Sequence, residues 1–165
     1  MSKKKSKAKY KKGDSFARID RYVINCPAYK SLGGNAVKLL TLLSSQYRGN
    51  NNGDLVITHS LMKDWFKSDT TMYKAKDELE KKGFIAVNSY GGMSWGGCKY
   101  PTLYALTMFP VNDFIDLEKN KDRLTILPIG KELKYFMTGG NPKYMNSVQK
   151  KRQFKKDVKK ANIEH

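Results

Sequence analysis

Apolar residues recur along this chain with a period that switches between helical and extended, and the switches map most of its elements. From Asn35 to Tyr47, residues Ala36, Leu39, Leu40, Leu43 and Tyr47 fall at three- and four-residue spacing, which predicts a helix with one inward stripe. Leu55-Val56-Ile57 is a brief run rich in β-branched residues and predicts a short strand. Thr58 is a candidate N-cap for a short helix from His59, in which Leu61, Met62, Trp65 and Phe66 predict a second packing stripe. Ser68 is a candidate cap for a longer helix from Asp69 to Lys82, rich in Asp, Glu, Lys and Ala and stopped by Gly83. Phe84 to Val87 and Leu103 to Thr107 predict two strands, and the stretch from Gly91 to Gly97, with four glycines and no proline, predicts the tip of a hairpin between them.

Taken in order from Asp54 to Thr107, these parts are strand, helix, tight turn, helix and hairpin, the layout of a winged helix-turn-helix. The fold expected is therefore α+β, a three-helix core with a two- to three-stranded wing, and the partner expected is double-stranded DNA. On a helical wheel Met72, Ala75 and Leu79 share one side of the longer helix, while Thr70, Tyr73, Lys74, Asp77 and Lys81 share the other. The residues singled out for DNA contact on this helix are Ser68, Thr70, Thr71, Tyr73, Lys74 and Lys81, and on the wing Trp95, Lys99 and Tyr100. Asp69 and Asp77 also lie on or near that surface, where phosphates would repel them. The wing carries Tyr90 and Met93 beside Trp95 and Tyr100, so it either stacks or wedges against nucleic acid or contacts protein.

The phrases INCPAYKSLGGNAVKLLTLLSSQY, NNGDLVIT, DELEKKGFI and YALT, in that order, resemble a winged-helix family common in bacteria, plasmids and phages, often described as helix-turn-helix or replication-initiator-like. The resemblance runs from roughly Phe16 to Phe109. It implies that the upstream phrase forms the first helix, and that the chain is a sequence-specific DNA-binding protein, either a small regulator or a replication accessory factor.

Charge adds the flanks to this picture. The formal net charge is +17, but residues 13–130 hold fifteen bases against twelve acids. Residues 1–12 carry seven lysines and no acid, and residues 131–165 carry ten Lys or Arg against three acids. A nearly neutral body between two cationic arms can grip a phosphate backbone by releasing counterions, without reading sequence. The candidate phosphate contacts are Lys3, Lys4, Lys5, Lys7, Lys9, Lys11 and Lys12 at one end and Lys150, Lys151, Arg152, Lys155 and Lys156 at the other. A solubilising tail is the plainer reading of the first arm, and the recurrence of the bias at the other end favours contact.

The chain thus divides into a basic disordered arm over 1–15, a winged-helix domain over 16–109, an extension over 110–138 and a basic helical arm over 139–165. In the extension Asn112 is a candidate cap for a helix through Glu118, Leu124 to Leu127 predicts a strand ended by Pro128, and Phe114, Ile115, Leu117 and Ile129 are expected to pack on the domain. Asn141-Pro142 is a good helix opening, and Tyr144 to Ala161 can continue as a basic helix with Met145, Val148, Phe154, Val158 and Ala161 as an imperfect stripe. That helix either docks on the domain or lies along DNA, and a membrane-surface helix is the weakest option because the apolar face is thin.

Catalytic and metal signals are scarce. His59 and His165 cannot form a ligand cluster, Cys26 and Cys98 match no zinc spacing and read as free thiols, and Glu80 with Lys82 lacks the upstream acid of a nuclease site. Gly33-Gly34 and Gly91-Gly92 lack the Lys-Ser or Lys-Thr of a phosphate loop. No enzyme activity, cofactor or metal is expected. No stretch is long and apolar enough for a membrane span and the N-terminus lacks a secretory block, so a cytoplasmic protein is expected, in a bacterial cell or phage-infected host. The alternative function is a protein-interaction module that binds a host or replisome protein through its aromatic wing.

Overall fold

The computed structural model describes residues 16–93, 97–112 and 126–144. Within them the chain is mixed α and β, with five helices and two small antiparallel sheets. Two short helices come first, α1 at Arg21–Asn25 and α2 at Pro27–Lys30, followed by α3 at Gly34–Gln46. Then come strand β1 at Leu55–Val56, helix α4 at His59–Met62, and helix α5 at Asp69–Lys81. Strands β2 at Ile85–Ser89, β3 at Gly92–Met93, β4 at Lys99–Tyr100 and β5 at Leu103–Leu106 complete the set, with 3₁₀ turns at Tyr135–Met137 and Pro142–Tyr144.

The predicted stripe of α3 is the centre of the core. Ala36, Leu39, Leu40 and Leu43 have no exposed surface, and they meet Met72, Ala75 and Leu79 of α5, all buried. Each leucine removed from water in this way is worth about 1.5–3 kcal/mol, which is why the helical period outweighs the two glycines at the start of α3. Tyr47 is the C-cap of α3 rather than part of its last turn, and its ring stacks on Phe109 at 4.6 Å between centroids. The two helices before α3 carry no long apolar period. Val23 is the fully buried residue of α1, and Cys26 caps α2 by accepting a hydrogen bond at Sγ from the Tyr29 amide.

The main sheet has the order β1-β5-β2, with Leu55 opposite Tyr104 and Ile85 opposite Leu106. Its first edge is closed by a side chain. Gln46 at the end of α3 accepts from the Val56 amide and donates to the Val56 carbonyl, both at 3.0 Å, so its amide group takes the place of a neighbouring strand. The second edge carries a register shift between Val87 and Ser89, where the Asn88 carbonyl accepts from the Ile126 amide and Asn88 Oδ1 from the Leu127 amide. Asn52 locks the turn before β1 onto the end of β5. Its Nδ2 donates to the carbonyls of Leu106, Phe109 and Pro110, while its Oδ1 accepts from the Leu106 amide.

Several expectations for the segments around this core need correction. Of the stripe expected through α4 and the turn after it, Met62 and Phe66 are buried, while Leu61 and Trp65 are more than half exposed. A helix of one turn meets the core along one line of contact, so the residues one position earlier face water and line a groove with Leu42. Neither Thr58 nor Ser68 caps its helix through the side chain; Thr58 Oγ1 instead pairs with Ser60 Oγ. Asn112 exchanges hydrogen bonds with Asn52, and the helix expected from it through Glu118 lies outside the described residues. Ile126 and Leu127 are held by Asn88 but form no strand, and Ile129 is half exposed instead of packed. Phe114, Ile115, Leu117, Leu124 and Thr125 lie outside the described residues, as does the proposed helix beyond Tyr144; Tyr144 itself closes a 3₁₀ turn. Among the described residues of the extension, Val111 and Phe136 are buried, and Phe136 stacks on Phe84 at 5.0 Å.

Candidate nucleic-acid interface

Helix α5 is the element on which the expected contact surface stands, and its sequence explains both its length and its end. Its first turn holds Asp69 and its last holds Lys81, each favourable to the helix dipole. At the C-terminus the Phe84 amide donates to the Leu79 carbonyl and the Gly83 amide to the Glu80 carbonyl, the paired bonds of a Schellman ending. Gly83 has φ +81°, and a Cβ there would sit 2.6 Å from Tyr135 Cβ and 2.7 Å from the Tyr135 carbonyl carbon. Glycine is needed for the backbone angle and for the close approach of the following segment.

With Met72, Ala75 and Leu79 turned inward, the opposite face looks to solvent. Ser68, Thr70, Tyr73, Lys74 and Lys81 are all exposed, and Thr71 is half-buried at the margin. The structure therefore brings the six helix residues singled out from the sequence onto one accessible side. The two acids on that side are both engaged. Asp77 Oδ1 lies 2.8 Å from Lys76 Nζ, and Asp69 Oδ1 lies 2.5 Å from His59 Nδ1. Exposed pairs of this kind add little to stability, and the lysine offsets the charge of Asp77. A shallow depression of about 330 Å³ runs along the same helix, lined by Lys74, Asp77, Glu78, Lys81 and Lys82.

The hairpin pairs Gly92 with Tyr100 and Met93 with Lys99. Lys99 and Met93 are exposed and Tyr100 is half-buried. Trp95 lies outside the described residues, as do the arm positions from Lys3 to Lys12 and from Lys150 to Lys156.

Sequence reasoning missed the role of Glu80. This carboxylate is buried at the flank of α5, 3.9 Å from Lys76 Nζ and 3.8 Å from Lys143 Nζ. It also takes part in a side-chain hydrogen bond with Tyr144, whose hydroxyl is pushed up to about 12 by burial and by that bond and the neighbouring charge. The hydroxyl therefore stays protonated and donates. The segment Asn141–Tyr144 is fixed further by the Asn141 amide, which donates to the Lys81 carbonyl, and by Asn141 Oδ1, which accepts from the Lys143 amide. Lys143 Nζ also lies 5.7 Å from the centroid of the Tyr90 ring and 5.5 Å from that of Tyr144. No local period announces this cluster, because its members are about sixty positions apart along the chain.

Among the described residues, no group of three or more His, Cys, Asp or Glu could hold a metal ion, and no helix is long and apolar enough to cross a membrane. Comparison of the chain with protein-family models, curated proteins and solved structures gives no match.

Proposed function

We propose that this chain is a winged-helix protein that binds double-stranded DNA, as a transcriptional regulator or replication accessory factor of the kind found in bacteria, plasmids and phages. The observation that carries the reading is the outer face of α5, where Thr70, Tyr73, Lys74 and Lys81 are exposed together while the inner face is sealed into the core. A thirteen-residue helix of this kind is about 20 Å long at 1.5 Å per residue, enough to lie across a major groove and present its polar side to base edges. In this reading β1, β5 and β2 form the small sheet of the fold, the β3–β4 hairpin is the wing, and the lysine-rich ends supply affinity that is indifferent to sequence.

Selection from random duplexes at moderate salt tests the reading. A preferred site should emerge, and Tyr73→Ala or Lys74→Ala should reduce preference for that site more than affinity for unrelated duplexes. Failure of the full-length protein to bind any duplex at low salt would sink the proposal.

A further inference from the structure

Beside α5 lies a shelf of two aromatic rings and one ammonium group for which an intact duplex has no use. Resting on the duplex reading above, we infer that this shelf stacks unpaired bases, so that the favoured ligand is a DNA duplex adjoining a single-stranded stretch.

The shelf is built from two places in the chain. Tyr90 follows β2 and is 61% exposed, and Tyr144 closes the last described turn and is 41% exposed. Lys143 Nζ serves both rings at 5.7 and 5.5 Å. The three side chains are not loose on the surface, because Lys143 and Tyr144 are also tied to the buried carboxylate of Glu80 on α5. Tyr73, on the outer face of the same helix, is 49% exposed.

The chemistry of this surface selects its occupant. Within a duplex, bases offer their edges in the grooves while their faces are covered by neighbours, so an open tyrosine face has nothing to meet there. An unstacked base has a free face, and stacking on tyrosine tolerates any base. One ammonium shared by two rings holds them in place before binding and sets positive charge beside the path of the attached phosphates. The nearby acids, Glu80 and Asp77, are already matched by Lys76 and Lys143.

Fluorescence anisotropy on the full-length protein decides the matter, with a blunt duplex, the same duplex carrying a ten-nucleotide single-stranded tail, and the tail strand alone. The tailed duplex is expected to bind about fivefold or more tighter than the blunt one, the gain from at least one stacked base. Tyr90→Ala should erase that gain and leave blunt-duplex affinity unchanged, while Tyr90→Phe should retain it. Tyr90 is largely exposed, so an unchanged unfolding midpoint should accompany the loss. Equal affinity for blunt and tailed duplexes, or a tail preference that survives Tyr90→Ala, overturns the shelf and leaves the duplex reading standing. Tyr90-dependent binding of the single strand with no affinity for the blunt duplex does the reverse.

Discussion

The two flanks of α5 are secured by carboxylates only two positions apart, yet by different physics. On one flank Glu78 Oε1 accepts from the Gly33 amide at 3.0 Å and from Lys82 Nζ at 2.8 Å, and Lys82 Nζ donates in turn to the Ser31 carbonyl. These bonds tie the helix to the loop between α2 and α3, and water reaches them. On the other flank Glu80 is buried under a returning segment whose backbone presses on the end of the helix at Gly83 and at Gly140, where a Cβ would stand 2.6 Å from the Lys81 carbonyl oxygen. The first flank is a set of screened polar ties; the second is packed like an interior. A helix held in this way has one side that tolerates change and one that does not.

The packed flank should break hardest. Gly83→Ala imposes a positive φ on a residue with a Cβ and drives that Cβ into Tyr135, so a loss of about 3 kcal/mol is expected, measured as a lowered urea midpoint at unchanged slope. Glu80→Ala should follow, at about 2 kcal/mol. A fully enclosed ion pair would lose about 3–5, but the Lys143 side chain is half exposed and can turn to water once its partner is gone.

The screened flank should give far less. Glu78→Gln is expected to cost about 0.5 kcal/mol or less at neutral pH. Burial pushes the Glu78 carboxyl up, but hydrogen bonds from Lys82 and Gly33 outweigh it and hold the group below the usual carboxylate range. Its contribution is therefore present at neutral pH and is lost as the pH falls through the lowered value. Unfolding midpoints of the wild type and Glu78→Gln should converge below about pH 4; a gap that widens in acid would contradict the assignment. Least of all, Lys74→Ala on the open face should leave stability within about 0.5 kcal/mol while weakening duplex binding. A large loss of stability there would mean that this face is not free.

The same contrast explains what could be read in advance. Long periodic segments were legible: α3 runs Gly34–Gln46 where Asn35 to Tyr47 was expected, and α5 ends one residue before the expected Lys82. Their burial follows from repetition, since four or five apolar residues on one face leave little choice of orientation. The stripe through Leu61 and Trp65 failed because α4 is a single turn, too short for its period to determine a face. Asn52 and Asn88 were invisible for a different reason. A polar residue predicts exposure by itself, and only the arrival of distant partners such as Leu106, Phe109 and Leu127 makes its burial favourable. The exposure of Thr70, Tyr73, Lys74 and Lys81 on α5 was legible because it needed only the helical wheel. The cluster at Glu80 was not, because Lys143 and Tyr144 join it through the tertiary fold.

The amide of Gln46, seated against Val56, bears on how copies of this protein can meet. Strand β1 is two residues long and its outward N–H and C=O are both occupied from within the chain, so no second molecule can extend the sheet at that position. A body with a large excess of cations at its ends and a satisfied sheet margin is poorly suited to growing ribbons. This small internal plug keeps a close neighbour from joining the sheet through β1.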